Sequence, residues 1–245
     1  MKKPICIAHR GFSGVAPENT LIAFQKAIEL KPDGFELDVH LSHDGEVIVM
    51  HDDAVDRTTN GKGKIVDLTL KELKQLDAGS WFDTKYAGER IPTLSEALAL
   101  AKDKLDVMVE LKATGTAEKA IPLIEQFGMV DQVVIFSFSS ELLKIAKSIN
   151  PNLSMLHLLW VRPEEKDTFP IETLIIRTLA AHANIIGMNW NGVTPRLVDM
   201  AHKRGLGIRV YTVDETADMQ AMIDMGVDGI ISNRIDRLLK TVASR

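Results

Sequence analysis

Short apolar runs recur along the chain, and segments able to form helices separate them. Most of the runs are apolar throughout rather than alternating, which is typical of parallel strands covered on both faces. Eight strands that alternate with helices predict an α/β fold closed into a (β/α)₈ TIM barrel. The predicted strands are residues 5–8, 34–39, 105–111, 133–138, 153–158, 184–188, 207–213 and 229–231.

Residues typical of helix N-termini support the predicted helices between these strands. The helix over residues 19–30 has Asn19 as its expected N-cap, and a Pro-Asp-Gly turn lies beyond its end. A second helix, over residues 97–102, follows the string Thr93-Leu94-Ser95-Glu96, which resembles a capping box. The order of strands and helices is therefore consistent from one unit to the next.

One interval is too long for this rhythm. About 65 residues separate the second predicted strand from the third, where a barrel connection with its helix needs roughly 25 to 30. Residues 39–50 predict a hairpin, because Asp44-Gly45 is a strong tight-turn signal. Residues 52–92, with a short helix near 70–76 and the aromatic residues Trp81, Phe82 and Tyr86, are interpreted as a capping subdomain. We thus expect one domain over residues 1–245, with this subdomain inserted between strands 2 and 3.

Composition and charge exclude several classes of partner. Hydrophobic residues make up 45% of the chain and charged residues 26%, the balance of an ordinary globular protein. The net charge is 29 − 34 = −5, and no basic run is dense, so we expect neither nucleic acid nor stable membrane association. Cys6 lies in an apolar run and is expected to be buried.

The chain also lacks targeting signals. The first residues are interrupted too soon for a signal-peptide core, and no apolar stretch reaches the ~20 residues that span a bilayer. A cytoplasmic location is therefore expected, unless a leader peptide has been removed.

Acidic residues gather near the ends of the second and third predicted strands. Glu36 and Asp38 are two apart and project to one face, as do Glu110 and Lys112. The carboxyl ends of barrel strands face the active site, where three converging acids would repel one another unless a cation or a shared proton compensates. Of the two, a hard divalent metal is the expected remedy. Oxygen ligands suit Mg²⁺ or Ca²⁺. The alternative is that the acids form ion pairs with Lys112 and Arg10.

Two histidines, His9 and His51, each end an apolar stretch. Beside the acids they could act in phosphoryl chemistry, one taking a proton from the nucleophile and the other giving one to the leaving oxygen. Arg10 and Lys112 would neutralise a phosphate, and arginine can bind two oxygens at once. Structural roles for the histidines, and a salt bridge for Arg10, are the alternatives.

Motifs follow one another in a fixed order over nearly the whole chain. They are His9-Arg10-Gly11, Pro17-Glu18-Asn19-Thr20, Glu36-Leu37-Asp38-Val39, His51-Asp52, Asp56-Arg57-Thr58-Thr59-Asn60-Gly61, Pro92-Thr93-Leu94, Glu110-Leu111-Lys112, Ser137-Phe138 and Asp228-Gly229. In this order they resemble the glycerophosphodiester phosphodiesterase family. The resemblance implies a barrel with a small inserted subdomain.

The resemblance also implies an activity. Enzymes of this kind hydrolyse glycerophosphodiesters to sn-glycerol 3-phosphate and an alcohol such as choline or ethanolamine. The glycerol 2-hydroxyl attacks phosphorus, and water then opens the cyclic phosphate. By this resemblance a divalent cation is held at Glu36, Asp38 and Glu110, and His9 and His51 are the acid/base pair.

The resemblance assigns substrate contacts as well. Arg10 and Lys112 match residues that contact the substrate phosphate, while Phe138 and Tyr211 are expected to contact the substrate beside it. Tyr211 stands where family members commonly have tryptophan, and Asn233 where they commonly have aspartate. These departures bear on the packing around the glycerol and on the choice of head group.

Two other functions are left open by the sequence. The first is a phospholipase-like phosphodiesterase that acts on intact lipids. Such an enzyme should expose apolar or basic loops at the mouth of the barrel, whereas the insertion here is rich in Asp, Lys, Gly and Thr. A non-catalytic phosphodiester-binding protein would have lost a histidine or a metal carboxylate, and all are present. Homodimer formation is left open in the same way.

Overall fold

The computed structural model describes residues 3–244. Within that range one sheet closes on itself, as the sequence predicts, and the ends of the eight barrel strands agree with the prediction to within two residues. An additional short strand lies outside the barrel. The strands are β1 (Ile5–Ala8), β2 (Gly34–Leu41), β3 (Val47–Val49), β4 (Asp106–Leu111), β5 (Val133–Ser137), β6 (Ser154–Leu159), β7 (Ile185–Asn189), β8 (Gly207–Tyr211) and β9 (Gly229–Ser232).

The sheet order is β1-β9-β8-β7-β6-β5-β4-β2-β3, and β1 also pairs with β2. All pairs around the barrel are parallel, and a helix follows each barrel strand. The TIM-barrel prediction is therefore confirmed. The helices are α1 (Leu21–Leu30), α2 (Leu70–Leu73), α3 (Leu94–Ala101), α4 (Thr116–Gln126), α5 (Ser140–Ile149), α6 (Ile171–Ala180), α7 (Pro195–His202), α8 (Thr216–Met225) and α9 (Ile235–Ala243).

None of the helices in the described residues is long and apolar enough to cross a membrane.

Two apolar layers hold the barrel together, because successive residues of a strand point to opposite faces. Outward residues pack against the helices and form the larger layer, which includes the buried Cys6. Gly187 makes room inside the barrel, since a Cβ there would lie 2.3 Å from Cδ2 of Leu156. The inward layer consists of Ile7, Met108, Phe136, Leu156, Leu158, Ile185 and Ile231.

The expected N-cap of the first helix is wrong. Thr20 caps α1, and its hydroxyl accepts a hydrogen bond from the Ala23 amide at 3.3 Å. Asn19 takes a left-handed conformation with φ 56°, which asparagine tolerates better than most residues. Its side-chain amide donates to Oδ2 of Asp38 at 2.9 Å. Asn19 therefore supports a carboxylate of the barrel rather than the helix.

The predicted hairpin is present as β2 and β3, with Val39 opposite Val49 and Gly45 in the turn at φ 80°. Beyond it the chain forms short 3₁₀ turns and α2 before the capping box of Thr93 and Glu96 opens α3. This segment has a buried apolar cluster of its own, apart from the two barrel layers. Its members are Ile48, Met50, Val55, Ile65, Leu73, Ala78 and Ile91.

We propose that residues 52–92 form a small subdomain packed on the β2–β3 hairpin, within a single domain over residues 1–245.

Leu73 is fully buried in its cluster, whereas Val66 is 58% exposed. Leu73→Ala is expected to lower the free energy of unfolding by about 2–5 kcal/mol, because it leaves a cavity in a packed core. Val66→Ala is the matched control and should change it by less than about 0.5 kcal/mol. Urea denaturation measures both, and equal small losses would contradict a separate core.

Candidate functional site

Three carboxylates are buried together at the C-terminal end of the barrel. Glu36 and Asp38 lie on β2 and Glu110 lies on β4, where the strand register sets Asp38 beside Glu110. One oxygen of each lies within 4.8 Å of the others, and the residues are 2%, 1% and 7% exposed. The predicted convergence of these acids is thus present in the fold.

Two cations from the barrel face the carboxylates. Nζ of Lys112 lies 3.1 Å from Glu110 Oε1 and 3.5 Å from Asp38 Oδ1. Nε of Arg10 lies 3.5 Å from Asp38 Oδ2, and the Arg10 amide donates to Glu36 Oε2 at 2.8 Å. The ion pairs considered from the sequence therefore exist. They set two cations against three acids.

The local pKa values reflect this imbalance. Burial and the charge of Asp38 raise the pKa of Glu36 well above its usual range. The same two causes raise the pKa of Glu110 to about 8. Burial also opposes ionisation of Asp38, but Arg10 and Lys112 outweigh it and hold the pKa of that carboxyl below its usual range. The cluster is therefore short of positive charge.

The three carboxylates fit a divalent cation. Oδ1 of Asp38 is buried and has no hydrogen-bond partner among the described residues. The Lys112 ammonium lies 3.5 Å from it, and a buried carboxylate oxygen is costly unless its charge and its hydrogen-bonding capacity are both satisfied. The cluster offers only oxygen donors, which suit a hard cation. Glu36, Asp38 and Glu110 are the residues that would hold it.

His9 follows β1, at the mouth of the barrel. Its Nδ1 lies 2.7 Å from Oδ1 of Asn233, and the Asn233 amide donates to Asp214 at 2.7 Å. Oδ1 of Asn233 is therefore an acceptor, which places the ring proton on Nδ1 and leaves Nε2 as the basic nitrogen. Burial and the charge of Arg10 lower the pKa of His9 to about 4, so the ring is neutral at neutral pH.

His51 lies just beyond β3. Its Nδ1 is 2.7 Å from Oδ1 of Asp52, and its carbonyl oxygen lies 3.1 Å from Nε2 of His40. Arg57 donates to both oxygens of Asp52, at 2.6 and 3.1 Å. Hydrogen bonds from Arg57 outweigh burial and hold the pKa of Asp52 well below its usual range. His51 thus has an ionised carboxylate behind it, with Nε2 as the nitrogen left for proton transfer.

A cavity of about 200 Å³ lies between these groups. Its apolar wall includes Phe138 and Tyr211, whose rings meet edge to face with centroids 6.3 Å apart. Tyr211 is fixed by its hydroxyl, which donates to the Leu159 carbonyl at 2.9 Å, whereas Phe138 is 51% exposed. Asp38 does not line the cavity itself. The cavity is lined by the other sequence-predicted residues, His9, Arg10, Glu36, His51, Glu110, Lys112, Phe138 and Tyr211.

Several supporting residues received no role from the sequence. Glu18, Asp52 and Arg57 belong to the family motifs, but the sequence assigned them no function of their own. The adjacency of Asp52 to His51 was the one feature that could have indicated a contact between an acid and a histidine. Asn233 follows β9 and contacts His9, whereas Asp214 follows β8 and contacts Asn233, so neither contact is visible before the barrel closes. The sequence therefore indicated the groups that face the cavity better than the groups that hold them.

Comparison with known proteins identifies the same family. The model of the glycerophosphoryl diester phosphodiesterase family matches residues 9–237. A glycerophosphodiester phosphodiesterase of Caldanaerobacter subterraneus subsp. tengcongensis is 41% identical over 98% of both chains. A glycerophosphodiester phosphodiesterase of Bacillus subtilis is 34% identical, over 95% of this chain and 84% of its own. Both relatives align with the barrel and the insertion together.

Solved structures agree with this. A phosphodiesterase of Oleispira antarctica, in complex with the product sn-glycerol-3-phosphate, has a TM-score of 0.88 and 28% identity over 98% of this chain and 97% of its own. A glycerophosphodiester phosphodiesterase of Agrobacterium tumefaciens has a TM-score of 0.83 and 33% identity over 98% and 100%. The predicted resemblance and enzyme class, a glycerophosphodiester phosphodiesterase, are confirmed. The chain belongs to the glycerophosphoryl diester phosphodiesterase family.

Proposed function

We propose that this enzyme hydrolyses glycerophosphodiesters to sn-glycerol 3-phosphate and an alcohol, with a divalent cation and two histidines. The observation that carries the proposal is that Glu36 and Glu110 line the same cavity as His9 and His51, with a carboxylate oxygen of Asp38 within 4.8 Å of theirs. The complex of the Oleispira relative with sn-glycerol-3-phosphate supports this small-molecule substrate class.

Charge is the first obstacle to the reaction, because the anionic phosphodiester repels a nucleophile. Mg²⁺ or Ca²⁺ bound at Glu36, Asp38 and Glu110 would neutralise charge on the phosphoryl oxygens. Arg10 and Lys112 supply protein charge at the same place. Their ion pairs with Asp38 hold both side chains at the cavity, so that little side-chain freedom is lost when phosphate binds.

Proton transfer is the second obstacle, because an alkoxide is a poor leaving group. His9 is neutral and presents Nε2, which suits a general base that takes the proton of the attacking glycerol 2-hydroxyl. His51 donates to Asp52, which stabilises the imidazolium and suits an acid that protonates the departing alcohol. In the second step water opens the cyclic phosphate, and the two histidines exchange roles.

The apolar wall would receive the uncharged part of the substrate. Phe138 and Tyr211 face the polar wall across the cavity, so glycerol carbons can pack on the rings while phosphate meets the cations. Removing either ring should change the preference among alcohols more than the proton-transfer step.

Metal removal tests the carboxylate group. EDTA should abolish release of sn-glycerol 3-phosphate from glycerophosphocholine, and Mg²⁺ or Ca²⁺ should restore it. Glu110→Gln removes one anionic ligand and should weaken binding of the metal alone, by calorimetry, at least ~10-fold. Glu118→Gln, at an exposed position of α4, is the control and should bind metal normally. Full activity after EDTA would contradict a metal-dependent reaction.

Histidine variants test the acid/base pair. His9→Ala and His51→Ala should each lower kcat by ~10²–10⁴-fold, because proton transfer is lost. Binding of the metal alone should change little, since neither histidine belongs to the carboxylate group. His43→Ala, at an exposed turn position, should match the parent enzyme. A variant of His9 or His51 with unchanged kcat would refute the role assigned to that residue.

A further inference from the structure

Arg57 lies in the insertion and binds carboxylates from two other segments at once. It donates to Asp52 from Nε at 2.6 Å and from Nη2 at 3.1 Å. It donates to Glu18 from Nη1 at 2.9 Å and from Nη2 at 2.8 Å. Only a planar guanidinium presents donors in such a fork, and a lysine ammonium does not.

Each of the two carboxylates continues to a residue of the cavity wall. Asp52 accepts from Nδ1 of His51 at 2.7 Å. Glu18 accepts from Nη1 of Arg10 at 2.7 Å. Arg57 is therefore one residue removed from His51 on one side and from Arg10 on the other.

The charges of this chain of contacts are mutually fixed. Hydrogen bonds with Glu18 and Asp52 raise the pKa of Arg57 above its usual range. Burial works against ionisation of Glu18, but the hydrogen bonds and charges of Arg57 and Arg10 together lower the pKa of that carboxyl below its usual value. The Arg57 side chain is 45% exposed, against 14% for Glu18 and 31% for Asp52, so Arg57 is the most solvent-exposed of the three.

Building on the proposed function, we propose that Arg57 is a positioning residue through which the insertion sets the orientation of both His51 and Arg10. The contacts from Arg57 through Asp52 to His51, here called the Asp52 arm, fix the imidazole. The contacts from Arg57 through Glu18 to Arg10, the Glu18 arm, fix the guanidinium that binds phosphate. The bonds do more than fasten the insertion, because each ends on a different functional group of the cavity.

The two arms have separable kinetic consequences. Loss of the Asp52 arm leaves His51 misoriented for proton transfer and should lower kcat. Loss of the Glu18 arm leaves the Arg10 guanidinium with the longer contact to Asp38, which holds its Nη1 less firmly at the phosphate position, and should raise KM. Loss of Arg57 itself should therefore do both, because small misplacements of reacting groups cost rate steeply.

The first experiment compares Arg57→Ala with Arg57→Lys. Arg57→Ala should lower kcat/KM for glycerophosphocholine by ~10–100-fold, with binding of the metal alone unchanged by calorimetry. Arg57→Lys keeps the charge but loses the fork, so it should recover only part of the activity. Arg90→Ala is the matched control, because Arg90 bonds carbonyls of Gln75 and Leu76 within the insertion and should leave kcat and KM unchanged.

Double variants separate positioning from folding. In an Asp52→Asn background, Arg57→Ala should produce no further fall in kcat. In a Glu18→Gln background it should produce no further rise in KM. Losses that simply add in both backgrounds, or a lower melting temperature with unchanged kcat and KM, would overturn the proposal. If Arg57→Ala does not fold, Arg57→Lys carries the same two tests.

His51→Ala measured beside these variants separates the two proposals. A large loss with His51→Ala and none with Arg57→Ala or Arg57→Lys would refute the positioning role alone. Unchanged kcat with His51→Ala would instead refute the acid/base role on which it rests.

Discussion

The rest of the site depends on one electrostatic constraint, which is the burial of three carboxylates with one oxygen of each within 4.8 Å of the others. Like charges in a poorly hydrated place cannot all ionise unless positive charge surrounds them. Arg10 and Lys112 supply two cations and the Asn19 amide a further donor, yet Oδ1 of Asp38 stays without a hydrogen-bond partner among the described residues. A divalent cation would complete this arrangement, and the same charge is what a phosphodiester substrate requires.

The barrel and the residues that face its cavity could be predicted because both are encoded locally. Apolar runs of strand length alternate with helical segments, and Glu36, Asp38, Glu110 and Lys112 sit at spacings that fix their side of a strand. A cluster of such residues at strand ends is readable without knowing the fold in detail, since parallel strands in a barrel end at one rim.

What could not be predicted depends on closure of the chain over long distances. Asparagine is a residue type suited to a helix N-cap, but the side chain of Asn19 bonds Asp38 instead, and Thr20 caps the helix. Asn233 reaches His9 because β9 closes the barrel against β1, and Asp214 then accepts from the Asn233 amide. Arg57 belongs to the insertion and Glu18 lies 39 residues earlier in the chain, so the two meet only in the folded protein. No periodicity or spacing specifies contacts of this kind.

The central claim is that Glu36, Asp38 and Glu110 hold a divalent cation next to His9 and His51. Anomalous scattering from crystals of the protein grown with Mn²⁺, a hard cation that can stand in for Mg²⁺, tests it most directly. The account predicts one strong peak bounded by oxygens of all three carboxylates. Ordered carboxylates with no peak between them, in protein that is fully active in the same Mn²⁺ solution, would contradict it.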